Sequence, residues 1–263
     1  MKSSQERSPA QVYDDLFVPA LFAQWGPRVC DEAGISSGKK VLDVACGTGA
    51  LTCVVAEKVG AQGKVVGLDI NEEMLGVARE KTSLVEWRQG RAEDLPFEDE
   101  SFDVAVSQFG FMFFENQVSA LREMFRVLRS GGRMVVAVCD ALDHSPGYSV
   151  LAEMLHRLFD HQVADAFRSP FSSGDPDQLL SLCQEAEIPN PNIFRQDGIV
   201  QFDSIKALIS TERACVWTLG GLLDNAQFER LRQAAEESLL PFVTPEGSVQ
   251  FEMPALVFTA DKD

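Results

Sequence analysis

The sequence is poor in basic residues and in histidine, and each shortage excludes a class of function. Its 263 residues include 23 lysines and arginines against 40 acidic residues, which gives a formal net charge of −17 at pH 7. Such a chain repels phosphate backbones at long range, so nucleic acid is not an expected partner. With three histidines and no Cys-x-x-Cys pair among six cysteines, the chain shows no zinc-type pattern, and no metal site is predicted.

Long apolar runs are also missing. No stretch approaches the roughly 18 consecutive apolar residues of a membrane span. Residues 1–10 are polar and lack the apolar core of a secretion signal. The cysteines fall within apolar patterns, which is typical of reduced core residues. We therefore expect a cytoplasmic protein without a membrane span, and its hydrophobic fraction of 45% is enough for a sizeable core.

Short apolar runs alternate with segments of helical periodicity over the first half of the chain. Strands are predicted at residues 41–44, 64–68, 84–88, 101–107, 133–139, 193–202 and 248–260. Helices are predicted at residues 12–33 (in two pieces), 50–59, 72–81, 116–128, 148–167, 175–187, 204–208 and 225–240. Gly131-Gly132 is expected to end the helix at 116–128. This alternation predicts an α/β fold with a Rossmann-like, doubly wound, seven-stranded and mostly parallel sheet.

A glycine turn follows the first predicted strand and opens a helix. In Gly47-Thr48-Gly49 the glycines allow a ligand to approach the backbone, and the helix that follows directs its free N–H groups at the same point. Asp69 ends the second strand about 20 residues on, where a carboxylate can accept from both hydroxyls of a ribose. The pattern predicts a nucleoside ligand that carries an acidic group.

Two ligands fit that outline. A dinucleotide such as NAD uses a third glycine for close packing of helix and strand, and here Thr52 stands near that point. S-adenosylmethionine has a ribose, an adenine and an amino-acid carboxylate but no pyrophosphate. Its binding requires the close backbone approach that Gly47 and Gly49 allow and the acid at the end of the second strand, but not a third glycine. S-adenosylmethionine is therefore favoured over NAD.

The strand ends also resemble a known family. The segment Asp43-Val44-Ala45-Cys46-Gly47-Thr48-Gly49 is similar to the first motif of class I S-adenosylmethionine-dependent methyltransferases. Residues 66–75 are similar to the second motif, and residues 90–97 followed by 101–103 are similar to the third. Residues 127–133 match the segment before the fifth strand. The third motif has the style of the ubiquinone/menaquinone-biosynthesis-like subgroup (methyltransferase type 11).

The resemblance implies a cofactor, S-adenosyl-L-methionine, and a role for each matching residue. The methionine moiety would lie against Ala45, Cys46, Gly47 and Gly49, with Asp43 shaping the turn and Gln108 near the amino-acid end. The ribose would be held by Asp69, and the adenine would lie between Ile70, Met74, Ala92 and Glu93. Tyr13, with Phe17 or Trp25, would close over the cofactor. Families of this kind often have glycine where Ala45 stands here, and alanine also occurs there.

The whole chain is expected to form a single methyltransferase domain. Residues 1–38 would form an N-terminal helical lid and residues 39–140 the cofactor-binding core. Residues 141–263 would complete the sheet and supply helical insertions that cap a small-molecule substrate. The sequence does not indicate an oligomeric state.

The predicted reaction is in-line methyl transfer to an oxygen or carbon atom of a hydrophobic metabolite. His144, just after the fifth strand, is the candidate base. Phe109 to Phe114 follow the fourth strand and could line an apolar substrate pocket. No Asn-Pro-Pro-Tyr type motif follows that strand, which disfavours amino-methylation of nucleic acid or protein. Two alternatives stay open: an NAD-dependent oxidoreductase, and a regulatory protein that binds S-adenosylmethionine without catalysis.

Overall fold

A seven-stranded sheet runs through the middle of the protein. The computed structural model describes residues 8–215 and 219–263. The strands are β1 (Lys40–Val44), β2 (Lys64–Asp69), β3 (Glu86–Gln89), β4 (Phe102–Gln108), β5 (Leu128–Cys139), β6 (Asn192–Gln196), β7 (Ile199–Phe202), β8 (Val249–Glu252) and β9 (Ala255–Asp261). Their order in the sheet is β3-β2-β1-β4-β5-β9-β6, and β7 pairs with β8 in a separate small sheet.

The direction of the strands determines where their ends meet. Strands β3, β2, β1, β4 and β5 are parallel neighbours, whereas β9 runs antiparallel to both β5 and β6. The order reverses between β1 and β4, because the chain first builds outward through β2 and β3 and then returns to the other side of β1. In such sheets ligands bind outside the carboxyl ends of the strands at this reversal. The Rossmann-like, mostly parallel fold predicted from the sequence is therefore confirmed.

Helices cover both faces of the sheet. They are α1 (Pro9–Val12), α2 (Trp25–Glu32), α3 (Ala50–Val59), α4 (Glu72–Lys81), α5 (Gln117–Arg126), α6 (Pro146–Leu158), α7 (His161–Arg168), α8 (Pro176–Glu185), α9 (Ile205–Ala214) and α10 (Asn225–Ser238). Residues Tyr13–Phe22 form a π-helical segment that contains Pro19. Short 3₁₀ turns lie at Gly60–Gln62, Phe111–Phe113, Leu142–His144, Ser169–Phe171 and Leu240–Phe242. In the part of the chain that the structure describes, no helix has the length and apolarity that crossing a bilayer requires.

The hydrophobic core lies in two layers, because successive strand residues face opposite sides of the sheet. On one face Val41 of β1 and Val135 of β5 pack with Val55 of α3 and Val29 of α2. On the other face Leu42, also of β1, joins a larger cluster that includes the cap helices. The buried strands thus anchor the sheet edge at which the cavity described below opens.

Helices α3 and α4 have the bounds that local signals predict. Asn71 caps α4, since its side chain accepts from the backbone N–H groups of Glu73 (2.9 Å) and Met74 (3.4 Å). Gly60 ends α3 with a positive φ of 62°. Residues 12–33 form the two helical pieces expected from their prolines, although the first piece is mostly π-helical.

Several predicted boundaries are wrong. Gly131 and Gly132 do not end α5, which stops at Arg126. Both lie inside β5, where Gly131 donates to the Lys262 carbonyl at 2.7 Å. The helix expected at residues 148–167 is divided into α6 and α7 by Phe159, which has non-helical backbone angles, and by Asp160, the N-cap of α7.

The two late strands are also interrupted. The strand expected at residues 193–202 is divided into β6 and β7, and the strand at residues 248–260 is divided into β8 and β9. Only β6 and β9 complete the large sheet, while β7 and β8 form the small one. Pro254 lies at the second break, where the chain changes sheets. The helix predicted at residues 204–208 is longer than expected and forms α9.

Candidate cofactor site and substrate cavity

A cavity of about 310 Å³ opens at the carboxyl edge of the sheet. Its floor is formed by the residues that follow β1, β2 and β4, together with Cys139 at the end of β5. The π-helical segment and the helices α6, α7 and α9 supply the opposite walls. The volume falls within the range of small-molecule sites, and the position is the one that the strand order favours.

The turn after β1 is held in left-handed backbone angles. Ala45 has a φ of +57° and Gly47 a φ of +55°. A non-glycine residue in this region costs roughly 1–2 kcal/mol, so the turn holds Ala45 in a strained backbone conformation. The Ala45 methyl group also leaves no room at Gly110, where an added Cβ would lie 2.4 Å from it. Strained backbone of this kind is concentrated at functional sites.

Gly49 has a different role from the one predicted for it. It does not line the cavity. It is the N-cap of α3 with a φ of +81°, and an added Cβ would lie 2.6 Å from the ring of Trp87. Its N–H donates to the Cys46 carbonyl at 2.9 Å, which closes the turn. Gly49 therefore shapes the turn from behind, while Ala45, Cys46, Gly47 and Thr48 face the cavity.

Asp69 links the glycine turn to the end of β2. One carboxylate oxygen accepts from the Gly47 N–H at 2.8 Å and the other accepts from the Asn71 N–H at 2.8 Å. Each oxygen keeps a second lone pair for a ligand. Burial raises the pKa of this carboxyl, and the backbone N–H groups oppose that rise. The geometry presents two fixed acceptors side by side, as a ribose diol requires.

Two buried oxygens around the turn lack a hydrogen-bond partner. They are the Asp43 Oδ1 and the Gln108 Oε1, and both residues line the cavity. The second oxygen of Asp43 accepts from the Thr52 hydroxyl at 2.6 Å, and burial raises the pKa of Asp43 to about 7. The Gln108 amide donates to the Phe22 carbonyl at 3.3 Å, which fixes its orientation. Unpaired buried acceptors are costly, and an ammonium group would satisfy them.

The opposite end of the cavity has an apolar slot. Ile70 is 57% exposed at its mouth, whereas Met74 and Ala92 are buried. Glu93 also lines the cavity, and one of its oxygens accepts from the backbone N–H groups of Glu115 (2.9 Å) and Asn116 (3.3 Å). Glu93 therefore holds the start of α5 in addition to facing the slot. A flat ring of the size of adenine would pack between these apolar side chains.

The N-terminal segment closes over the turn. Tyr13 lines the cavity and stacks on Phe22, with ring centroids 5.6 Å apart. Burial, followed by nearby acidic groups, raises its pKa. The adjacent Asp14 accepts from the Thr48 hydroxyl at 2.6 Å and from the Lys81 ammonium group. We call this contact of Asp14 with Thr48 and Lys81 the latch, because it ties the segment to both the glycine turn and α4.

The predicted catalytic histidine lies elsewhere. His144 is in the 3₁₀ turn after β5, does not line the cavity, and has a side chain that is 43% exposed. Its Nδ1 lies 3.1 Å from the Asp140 carboxylate and 2.9 Å from the Arg195 guanidinium. This ion-pair cluster is packed at the side of β6. The geometry gives no support to a catalytic role for His144, and we do not retain it.

Other lining residues were missed by the sequence analysis. Tyr148 on α6, Phe167 on α7 and Glu212 on α9 form much of the wall opposite the sheet. Their helices could be predicted from apolar periodicity, but no motif marks the positions that face a ligand. Of the aromatic run after β4, Phe109, Met112, Phe113 and Phe114 line the cavity as expected, whereas Phe111 is core.

Comparison with known proteins fits this geometry. Residues 35–187 match the family model described as "Methyltransferase domain". The chain belongs to this family. Within it the enzyme is a class I S-adenosylmethionine-dependent methyltransferase of the ubiquinone/menaquinone-like subgroup.

Two relatives and one solved structure illustrate the similarity. The methyltransferase is 35% identical over 200 residues to demethylmenaquinone methyltransferase of Staphylococcus carnosus, covering 69% of this chain and 82% of the relative. It is 41% identical over 131 residues to the ubiquinone/menaquinone biosynthesis C-methyltransferase of Idiomarina loihiensis, covering 48% of this chain and 52% of that protein. Phosphoethanolamine N-methyltransferase 2 of Haemonchus contortus, solved with S-adenosyl-L-methionine, has a TM-score of 0.62 at 13% identity, covering 97% of this chain and 57% of that one. That last likeness shows the fold alone.

Proposed function

We propose that the protein binds S-adenosyl-L-methionine at the glycine turn and transfers its methyl group to a carbon or oxygen atom of a flat, hydrophobic small molecule. The observation that carries this proposal is the set of unpaired acceptors around the turn. The Asp43 and Gln108 oxygens suit the ammonium group of the methionine moiety, and the paired oxygens of Asp69 suit the ribose. This set of acceptors therefore fits both the amino-acid end and the ribose of the cofactor.

The chain's own residues would do most of the work by positioning. The cofactor supplies an activated methyl group on a sulfonium centre. The turn and Asp69 would hold it at the sheet edge, while the aromatic wall would hold the acceptor ring in line with the methyl carbon. Tyr13 and the latch would close the cavity and exclude water. In-line transfer in a dry cavity needs little further chemistry from the protein beyond a proton acceptor.

A quinone-derived ring is the acceptor class we favour. The two relatives are named for demethylmenaquinone and for ubiquinone/menaquinone biosynthesis, and one name specifies a C-methyltransferase. The wall of this cavity suits such a ring, since its lining is mainly aromatic and aliphatic. A reduced quinone has electron-rich ring carbons that can attack a methyl group.

Binding and turnover separate this proposal from its rivals. Calorimetric titration should show saturable binding of S-adenosylhomocysteine and no measurable binding of NAD. Methyl-labelled cofactor with 1,4-naphthalenediol, kept reduced, should then give a labelled product. Binding of NAD alone would favour an oxidoreductase, and cofactor binding without transfer to any hydroxylated ring would favour a regulatory protein.

A further inference from the structure

The cavity has one unpaired polar group that the proposed cofactor does not explain. Of the buried side-chain oxygens without a hydrogen-bond partner in the described chain, three belong to residues that line the cavity: Asp43, Gln108 and Tyr148. The first two are acceptors beside the glycine turn, where the cofactor would supply an ammonium group. The Tyr148 hydroxyl lies on α6, in the wall opposite the sheet, and it can donate. It therefore requires a different partner.

The unpaired hydroxyl of Tyr148 carries a free-energy cost. The residue is 3% exposed, so its hydroxyl has lost most of its contact with water. A buried hydroxyl without a hydrogen bond is unfavourable, and such groups are rare in folded proteins. Phenylalanine would fill the same space without this cost. A few polar groups placed in an apolar wall are typical of a site that orients a ligand.

The ring of Tyr148 is held in one position. It makes edge contacts with the rings of Phe167, Phe171 and Phe251, whose centroids lie 5.7, 5.8 and 5.0 Å away. The preceding residue, Gly147, packs so closely on Phe251 that an added Cβ would lie 2.3 Å from that ring. Because both the ring and its backbone are packed in this way, the hydroxyl cannot swing toward a distant partner. Its partner has to come to it, inside the cavity.

This hydroxyl acts as a donor and not as a base. Burial, and after it the neighbouring Glu212, hold the pKa of the Tyr148 phenol well above its ordinary value. The phenol therefore keeps its proton near pH 7. The Cys139 thiol, which lines the cavity at the end of β5, also stays protonated because burial raises its pKa to about 12. The ligand atom that pairs with Tyr148 must be an acceptor, and oxygen is the acceptor common in flat metabolites.

The surroundings of Tyr148 define the rest of that ligand. Phe167 and Phe171 line the cavity beside its ring, and Met253 adds a further apolar side chain. Aromatic side chains of this kind pack on a flat ring in offset or edge-to-face contact. A wall of aromatic rings with a single fixed O–H group fits an aromatic ring that carries oxygen.

We propose that the Tyr148 hydroxyl donates a hydrogen bond to a ring oxygen of the methyl acceptor and thereby selects oxygen-bearing aromatic compounds over hydrocarbons of the same shape. This inference rests on the proposed function. The hydrogen bond adds no bond-breaking step of its own. It holds the acceptor ring in one orientation on the wall opposite the sheet, which is the requirement for in-line attack on the methyl carbon. Tyr148 is thus a specificity-determining residue in contact with the substrate.

The test compares two ligands of matched shape, 1-naphthol and 1-methylnaphthalene, on the parent and on Tyr148→Phe. Binding is measured by calorimetry in saturating S-adenosylhomocysteine, so that no turnover occurs. From parent to Tyr148→Phe, the ratio of the two dissociation constants should change about tenfold in favour of 1-methylnaphthalene, because one hydrogen bond is lost with 1-naphthol only. The affinity for S-adenosylhomocysteine should stay within about threefold, and an unchanged ligand ratio would overturn the proposal.

Ser149→Ala is the matched control, since it removes a hydroxyl from the next residue of the same helix. The Ser149 hydroxyl is paired, donating to the Leu142 carbonyl at 2.7 Å, and it does not line the cavity. Ser149→Ala should lower Tm and leave the ligand ratio unchanged. Tyr148→Phe should not lower the Tm of the empty protein, because the hydroxyl it removes is unpaired. A lower Tm for Tyr148→Phe would mean that this hydroxyl is already paired in the folded protein, and the proposal would be overturned.

A second readout retains the Tyr148 hydroxyl. The chain has two tyrosines, so protein labelled with 3-fluorotyrosine should give two ¹⁹F resonances, and Tyr13→Phe assigns them. In saturating S-adenosylhomocysteine, 1-naphthol should shift the resonance of residue 148 more than 1-methylnaphthalene does, since ring packing is common to both ligands and the hydrogen bond is not. Equal shifts would contradict a contact between the hydroxyl and the ligand oxygen.

The two proposals fail differently. If the parent binds S-adenosylhomocysteine and methylates 1,4-naphthalenediol while Tyr148→Phe keeps the ligand ratio of the parent, the assignment of Tyr148 is overturned and the methyltransferase proposal stands. If the parent binds no S-adenosylhomocysteine, both are overturned. A ratio that changes as much in Ser149→Ala as in Tyr148→Phe would trace the preference to the position of α6 and would also overturn the assignment of Tyr148.

Discussion

Asp69 is the residue on which cofactor affinity should depend most directly. Both of its oxygens are fixed by backbone N–H groups, so replacement by asparagine turns one acceptor into a donor at the ribose position. A hydrogen bond to a charged group contributes about 1.5–3 kcal/mol. We therefore expect Asp69→Asn to weaken binding of S-adenosylhomocysteine roughly 10- to 100-fold by calorimetry. Glu72→Gln, at an exposed acid of α4, should leave the affinity unchanged, and equal affinities for both variants would contradict the ribose assignment.

Asp43 should make stability depend on pH. Its folded-state pKa of about 7 lies above its ordinary value of 3.8, so between these values the folded chain holds a proton that the unfolded chain has released. Stability is therefore lost as pH rises through this window. Asp43→Asn keeps an acceptor for Thr52 and carries no charge. Its free energy of unfolding, relative to that of the parent, should therefore rise by roughly 2 kcal/mol from pH 5 to pH 8. Urea unfolding at the two pH values measures this.

The matched control for Asp43 is Glu98→Gln, at an exposed acid in a loop. Its free energy of unfolding relative to the parent should not change between pH 5 and pH 8. A parent whose stability is flat over this range, with Asp43→Asn equally flat, would show that Asp43 is ionised in the folded protein.

At the residue scale, the sequence reveals what local chemistry determines. Gly47 and Asp69 could be placed because a glycine turn after a strand and an acid about 20 residues later have fixed positions in a parallel sheet. Tyr148 and Glu212 could not, because each lies on a helix whose rotation about its axis depends on packing with other helices. His144 shows the opposite case: it follows a strand end, yet its contacts with the Asp140 carboxylate and the Arg195 guanidinium hold it outside the cavity.

Alanine substitutions at two glycines, one at the start of α3 and one inside α4, test whether the backbone of the glycine turn is strained. Gly49, at the start of α3, has a φ of +81° and lies against Trp87, so Gly49→Ala should destabilise the fold by about 1–3 kcal/mol. Gly76, inside α4, has open space around it, so Gly76→Ala should stabilise by about 0.5–1 kcal/mol. Chemical denaturation of both variants measures the contrast, and a similar loss in the two would refute the strained turn.

The latch should control the rate at which the cofactor leaves. Asp14→Ala removes the acceptor of both Thr48 and Lys81, so the N-terminal segment should open more often. We expect dissociation of S-adenosylhomocysteine, followed by stopped flow, to be about tenfold faster, and cleavage of the segment by a protease to be faster as well. Glu80→Ala, at an exposed position of α4 near Lys81, is the control. An unchanged rate for Asp14→Ala would mean that the segment opens independently of the latch.

Element boundaries were predictable where a cap or a glycine stops a helix locally. Asn71 and Gly60 gave the bounds of α4 and α3. Gly131-Gly132 looked like another helix end, but its backbone pairs with the distant residue Lys262, a contact that no local pattern reveals. The breaks between β6 and β7 and between β8 and β9 have the same cause, because strand partners far along the chain decide which sheet each piece joins.

The excess of acidic residues should be visible in the stability of the whole molecule. The chain has a net charge of −17, so its acidic residues repel one another. The range of this repulsion is limited by salt to about 30 Å at 10 mM and to about 8 Å at 150 mM. We expect Tm, measured by calorimetry, to rise by a few degrees between these sodium chloride concentrations. A triple variant, Glu80→Gln, Glu98→Gln and Glu237→Gln, should show a smaller rise. A Tm that falls with salt would mean that surface ion pairs outweigh the net repulsion.

The antiparallel direction of β9 determines which end of the chain can carry a tag without affecting the cavity. Since β9 begins beside the carboxyl end of β5, where Ala255 pairs with Cys139, and runs back to Asp261 beside Arg133, the chain leaves the sheet on the side away from the cavity. An affinity tag or fluorophore joined after Asp263 should therefore leave ligand binding intact. A label attached ahead of Ser8 would be joined to α1, which packs on α4 and α9 beside the cavity, and it should report or disturb the opening of the site.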